Sequence, residues 1–195
     1  MSGDVDTASE HTQPPPRRHT ARWVGIGVLV IVAGLIAALA TRPPATVDEV
    51  QNPVVGKMAP PLVGQTVDGT HYALPSRPGK FVVVSFFASW CEQCQSEGPQ
   101  LVQFQFEHKQ RGDATMLSVV FSDSEADAKA SQAQLGVTWP TLADSGGGIA
   151  LNFGVRELPS TFVIAPDGRV VKAIVAPVTA AELDQIIAKA KAAHA

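Results

Sequence analysis

The chain has 195 residues, with 15 Lys and Arg against 18 Asp and Glu and a formal net charge of −3. That length holds one ordinary domain and an N-terminal appendage. From residue 45 onward the chain is mildly acidic and has no basic cluster, which gives nucleic acid nothing to bind.

Residues 1–22 are rich in Ser, Thr, Gln, Asp and Pro and include Pro14-Pro15-Pro16. They carry no apolar period and are expected to be a disordered cytoplasmic N-terminus. Over residues 23–40 no charge interrupts a run of Val, Ile, Leu, Ala and Gly. At about 1.5 Å per residue this run reaches roughly 27 Å, enough to cross a hydrocarbon core. Arg17, Arg18 and Arg22 precede it, whereas Arg42 and then Asp48 and Glu49 follow it. The positive-inside rule therefore keeps the N-terminus cytoplasmic and exports the rest of the chain. The length favours a single-pass transmembrane anchor over a signal peptide. Ala38-Leu39-Ala40 nevertheless looks like a cleavage site, and cutting there would give a secreted form. The residues around Arg17-Arg18 do not support a twin-arginine signal. No cysteine lies near the run, which excludes a lipoprotein.

Residues 41–55 read as a linker and residues 56–195 as the exported domain. From residue 45 onward there are 11 Lys and Arg against 15 Asp and Glu, a net charge of −4. Segments 61–67 and 70–74 flank Asp68-Gly69, a hairpin signal. Residues 75–80 form a turn-rich loop. Residues 81–87 are a continuous apolar run, as expected of a strand buried on both faces. The spacing predicts a helix over 92–110, with Leu101, Val102, Phe104 and Phe106 making apolar contacts and Pro99 kinking it. A strand follows at 115–121, then a polar, Ala-rich helix at 122–134 with Ser or Asp caps. Residues 137–149 look irregular and contain Gly146-Gly147-Gly148, and 150–153 form a short helix. Strands at 161–165 and 169–175 are joined by Pro166-Asp167-Gly168. The last helix starts at Thr179 with a capping box closed by Glu182. Its Leu183, Ile186, Ile187 and Ala190 share one face. Together these make an α/β domain with mixed strand directions.

The two cysteines stand in Trp90-Cys91-Glu92-Gln93-Cys94, between the apolar strand and the helix. A thiol at a helix N-terminus meets unpaired backbone N–H groups and the positive end of the dipole, which favour thiolate. The spacing allows a reversible disulfide. As a structural staple it would close almost no loop and contribute little. A zinc site needs two more ligands at suitable spacing. No second cysteine pair exists, and His11, His19, His71, His108 and His194 form no His-x3–5-His, so each is expected at the surface. A copper-delivery module would want a wider cysteine spacing with a nearby histidine. A peroxidase would want Thr three residues before its cysteine, where Ala88 stands.

On these residues the chain resembles the thioredoxin superfamily, specifically the membrane-anchored TlpA/ResA/CcmG-like thiol–disulfide oxidoreductases. The resemblance is carried by Gly56-Lys-Met-Ala-Pro60, the run from Gly79 through Cys94, Glu97, Pro99, Gly154-Val-Arg-Glu-Leu-Pro-Ser-Thr-Phe-Val-Ile164 and Asp167-Gly168. It covers roughly residues 54–192. It implies a thioredoxin-like fold, a mixed central sheet flanked by helices, with an N-terminal β-hairpin and a central insertion around 122–152. Ser85 stands where thioredoxin has a buried aspartate, so that proton-transfer role does not carry over. Phe87 replaces a tryptophan common in this branch.

The resemblance implies roles. Cys91, at the helix start and nearer solvent, is the nucleophile, and Cys94 is the resolving thiol. Pro159 is expected to be cis and to face the pair, with Leu158 pairing an extended substrate and Trp90 beside it. Glu97 shares a helix face with Cys94. Alone it reads as a solvated first-turn glutamate; in this family it tunes the cysteines or handles their protons. Glu92 is exposed and tunes the potential by charge. A carboxylate near Cys91 opposes thiolate and tilts the pair toward a reductant.

The expected activity is therefore an extracytoplasmic protein-disulfide reductase acting on exported cysteine-containing proteins such as apocytochrome c. A membrane thiol-transfer protein is the implied electron donor. No cofactor beyond the Cys91–Cys94 disulfide and no metal is expected. An exported disulfide oxidase on the same residues is one alternative. A tethered, non-enzymatic client-binding module is another, which a functional Cys91→Ser variant would favour.

Overall fold

The structure, a computed structural model, describes residues 18–40 and 52–193. The expected disordered tail over 1–17 and residues 41–51 of the expected linker lie outside them. The chain divides into two units, Met1–Ala45 and Thr46–Ala195. In the first, helix α1 runs Arg18–Ala40, so it begins inside the stretch expected to be disordered. No Pro or Gly after Pro16 stops it there. Among the described residues no helix is long and apolar enough to cross a membrane.

The second unit is built on strand β3 (Phe81–Phe87), whose seven residues are all buried. Its neighbours are β4 (Ala114–Val120) and β6 (Ser160–Ile164), parallel and antiparallel to it respectively. β5 (Thr141–Leu142) extends the sheet beyond β4 in parallel, and β7 (Val170–Ile174) pairs antiparallel with β6. The strand order is therefore β5-β4-β3-β6-β7, a mixed sheet of the thioredoxin type.

Alternation along β3 feeds two cores, as a two-residue period requires. Val82, Val84 and Phe86 pack on one face with Phe153 and Phe162, and the three rings meet at 5.0–5.6 Å between centroids. Phe153 comes from the short helix α4 (Gly148–Phe153). Phe81 and Val83 face the other way, against Leu101 and Phe104 of α2 (Glu92–Arg111) and Leu183 and Ile187 of α5 (Ala180–Ala193). The α5 capping box forms, with Thr179 Oγ1 donating to Glu182 Oε2 at 2.8 Å and accepting from Glu182 N at 3.2 Å.

α3 (Glu125–Leu135) lies against α2. A Cβ on Gly98 would stand 2.8 Å from the Leu135 methyls, so the glycine, costly inside a helix, sets this approach. The hairpin β1 (Val63–Gln65) and β2 (His71–Ala73) turns at Asp68-Gly69, and Gly69 has φ +79°. It docks beside β5 through Val67 N to Thr141 O (2.9 Å) and Ala143 N to Gln65 O (2.8 Å). The β6–β7 turn brings Gly168 (φ +93°) so near the Ser76 carbonyl that no Cβ fits.

Three expectations need correction. β5 lies in the stretch read as irregular. Two residues show no period, and the strand exists because Ser118 N donates to Pro140 O and the hairpin holds its other edge. Phe106 is 66% exposed. It is two residues from the buried Phe104, roughly 200° around the helix. His108 is not a surface histidine but 1% exposed, its ring 4.1 Å from that of Phe104. Its Nδ1 lies 2.7 Å from Asp113 Oδ1 and its Nε2 2.7 Å from Asp184 Oδ1. Only an imidazolium can donate to both.

Burial pushes the Asp113 carboxyl up, but Lys191 at 2.7 Å and His108 outweigh it and hold it at about 2, below its ordinary 3.8. Asp113 therefore stabilises the fold above the ordinary value, and that contribution is lost as the pH falls toward about 2. His108→Gln is expected to lower stability by about 2 kcal/mol near neutral pH. Urea titrations should show the gap to wild type narrowing as Asp113 is protonated in acid. A pH-independent gap would mean that the ring acts through packing alone.

Candidate active site

β3 ends at Phe87, and a turn closed by Cys91 N to Ala88 O (3.2 Å) starts α2. Cys91 is the N-cap, extended at φ −84°, ψ 103°, and its Sγ accepts the Cys94 N–H at 3.1 Å. Cys91 and Cys94 form a disulfide with a Cα separation of 5.2 Å. Cys91 was expected nearer solvent, yet both cysteines are 7% exposed. The bond holds both sulfurs in one pit with Phe87, Ala88, Val120 and Ala128, rimmed by Val67 and Leu158. Position separates them instead: Cys91 is the one that caps the helix. A helix N-terminus stabilises negative charge, so Cys91 is the sulfur favoured as thiolate once the bond is reduced.

The Leu158–Pro159 peptide bond is cis. The β3–β6 register pairs Phe86 with Ser160, which brings this bond to the end of β3 that delivers Cys91. Leu158 packs against the cluster containing both cysteines, and Pro159 is buried. Trp90 stands out at 62% exposed, its indole Nε1 donating to Ser122 O at 3.2 Å. Glu92 is exposed in the first turn of α2.

Glu97 is 3% exposed, not a solvated first-turn residue. Burial pushes its carboxyl from the ordinary 4.5 up to about 8, although the Val178 N–H donates to Oε1 at 3.3 Å and pulls the other way. The Thr161 hydroxyl lowers it as well, from a position short of full hydrogen-bond geometry. Ser85, Phe87, Cys94, Glu97, Ser118 and Gln132 line a cavity of about 20 Å³, room for one water. Glu97 and the buried Cys94 thus border one small cavity, whose wall also includes Leu101, Leu135 and Trp139.

Several residues at the site carried no sequence signal for this role. The Val178 amide arrives from the β7–α5 connection, 81 positions beyond Glu97. Asp123 Oδ2 accepts the Ser89 N–H at 2.6 Å. Ser122-Asp123-Ser124 reads as a set of helix caps, but the cap is Ser124, whose side chain accepts Asp127 N.

This fold, with a Cys-x-x-Cys disulfide capping a helix beside a cis-proline, defines a thioredoxin-like thiol–disulfide oxidoreductase. The chain belongs to the AhpC/TSA family, whose pattern matches residues 55–173. It is 29% identical over 135 residues to the thiol-disulfide oxidoreductase ResA of Bacillus thuringiensis, covering 69% of this chain and 78% of that one. It is 36% identical over 104 residues to the thiol:disulfide interchange protein HelX of Rhodobacter capsulatus, covering 53% and 56%. Among solved structures it resembles a thioredoxin-family thiol:disulfide interchange protein from Chlorobium tepidum. There the TM-score is 0.62 and the identity 30%, over 68% of this chain and 94% of the other.

The raised Glu97 value has a sign. The folded protein keeps a proton that the unfolded chain loses above 4.5, so stability falls as the pH rises from 4.5 to about 8. Glu97→Gln should match wild type near pH 4 and exceed it at pH 9 by something on the order of 2–4 kcal/mol. Thermal denaturation of the oxidised protein across that range reads the difference. A constant gap would show that Glu97 is ionised throughout.

Proposed function

We propose that this protein is a membrane-anchored, extracytoplasmic reductase of disulfides in exported cysteine-containing proteins, apocytochrome c among them. The observation that carries the direction is the buried Glu97, three residues after Cys94 and bordering the same cavity. When ionised, a carboxylate bordering the same cavity as Cys94 places negative charge against a thiolate and so opposes the helix N-terminus. With less stabilisation of its reduced form, the dithiol gives up electrons more readily.

The exchange balances with no cofactor besides the cysteine pair. The Cys91 thiolate attacks one sulfur of the client disulfide; a mixed disulfide forms and the other client sulfur leaves as thiolate and takes a proton. The Cys94 thiol gives its proton to the Glu97 carboxylate and attacks the Cys91 sulfur. The second client thiolate departs, and two electrons have passed to the client. A base held near 8 suits a thiol proton at neutral pH better than an ordinary carboxylate does. A membrane thiol-transfer protein returns the pair to the dithiol by the same chemistry.

Leu158, beside cis-Pro159, is the backbone edge for an extended client, with Trp90 as an apolar platform and the exposed Glu92 adding local negative charge. Anchoring is supported by the uncharged run over 23–40 and by Arg17, Arg18 and Arg22 on one side of it.

Two measurements test the reading. Equilibration with glutathione should give a potential more negative than about −200 mV; a value near −120 mV would make the protein an oxidase. A Cys94→Ala chain should accumulate mixed disulfides on Cys91 with exported proteins. If none forms in cells that express it, disulfide exchange with clients is not its function.

A further inference from the structure

The turn that carries Trp90 and Cys91 is held from outside by one short segment. Ser89 donates its N–H to Asp123 Oδ2 at 2.6 Å. The Ser89 carbonyl accepts from Gln95 Nε2 at 3.0 Å, and that same amide donates to Ser131 Oγ at 2.8 Å. The Trp90 indole N–H donates to the Ser122 carbonyl at 3.2 Å. Asp123, Ser131 and Ser122 all belong to the β4–α3 loop or to α3 itself.

The segment is shaped for this contact. Among the described residues Ser122 is the one non-glycine residue with a positive φ, at 51°. An L-residue adopts that left-handed conformation only where its surroundings hold it. Asp123 uses its second oxygen to accept the Ser124 N–H at 2.8 Å, and Ser124 caps α3. One carboxylate therefore ties the active-site turn to the start of a helix. Asparagine cannot replace it. Both partners are N–H donors, and an amide presents only one acceptor oxygen.

We propose that Asp123 is a positioning residue for disulfide exchange: through Ser89 and the Ser122 carbonyl it fixes the exposed Trp90 ring as a rigid client platform next to Cys91. Trp90 is 62% exposed, yet its polar edge is tethered, which leaves its apolar faces for a partner. A ring held in place before binding loses less freedom when the client arrives. A disulfide too small to reach the ring gains nothing from it.

This inference rests on the exchange activity proposed above, and the test separates the two. The full-length chain in detergent is assayed as dithiol against a peptide carrying an intramolecular Cys-x-x-Cys disulfide and against hydroxyethyl disulfide. In single-turnover oxidation of the dithiol, Asp123→Asn and Asp123→Ala should raise the half-saturating peptide concentration (KM) about tenfold while the limiting rate stays within about twofold. Turnover of hydroxyethyl disulfide should not change, and the Trp90 indole N–H should exchange faster with solvent. Trp90→Phe keeps a ring but loses the tether, and should reproduce part of the KM rise even if the Asp123 variants fold poorly. Equal losses on both substrates, or no change in peptide KM for Trp90→Phe, overturn the positioning role. A wild-type dithiol that reduces neither substrate overturns the exchange reading itself.

Discussion

The donation of the Cys94 N–H to the Cys91 sulfur at 3.1 Å is the contact on which the rest of the domain depends. It exists because α2 starts at the residue after Cys91, and α2 can start there because β3 stops at Phe87. A sulfur is a weak acceptor as a thiol and a strong one as a thiolate, so the same N–H caps the helix loosely in one redox state and tightly in another. The buried strand supplies the precision. With β4 on one side and β6 on the other, its register is set along its whole length, and Phe86 facing Ser160 delivers cis-Pro159 to the cysteines.

Against that cap stands a buried acid supplied by a helix rather than by a strand. Ser85 occupies the β3 position where the resemblance leads one to look for an aspartate, and it borders the same cavity as Glu97 and Cys94. The carboxyl is present after all, reaching the cavity from one turn into α2. The change of origin has a consequence. A side chain on α2 can also bond the Val178 amide at the β7–α5 connection. The same carboxyl then borders the cavity that Cys94 lines and is bonded to a loop from the other end of the sequence.

What was legible in the sequence was what neighbours in the chain decide. The all-apolar run of β3, Asp68-Gly69 between two short strands, and Thr179 with Glu182 each specify their structure within a few residues. What was illegible depends on partners far along the chain. β5 is two residues long and exists by virtue of Pro140 bonding Ser118 and of the hairpin on its other side. His108 is buried because Asp184, 76 positions away, meets its second nitrogen. Phe106 shows the opposite failure. An aromatic residue in a helix suggests core, but the period puts it on the face away from Phe104. At the site, the cysteine pair could be read from its spacing. The burial of Glu97 could not, because the residues that bury it come from β3, α3 and the β7–α5 connection.

The placement of two sulfur atoms is therefore a property of the whole of α2, and α2 is held along its length. At its start Gln95 reaches back to Ser89 and across to Ser131. In the middle, Gly98 lets Leu135 approach, and Glu97 and Gln100 accept the Val178 and Ala180 amides at the start of α5. At its far end, His108 is clamped between two aspartates, and Gly112 closes the helix in a left-handed conformation. The 17 residues of α2 from Glu92 to His108 span about 25 Å. Over that distance a helix free at its far end would tilt its first turn, and both cysteines with it, relative to the cis-Pro159 segment. Fixing the remote end with charge, the middle with close packing and the start with backbone hydrogen bonds leaves the cysteines free to change only by making or breaking their own bond.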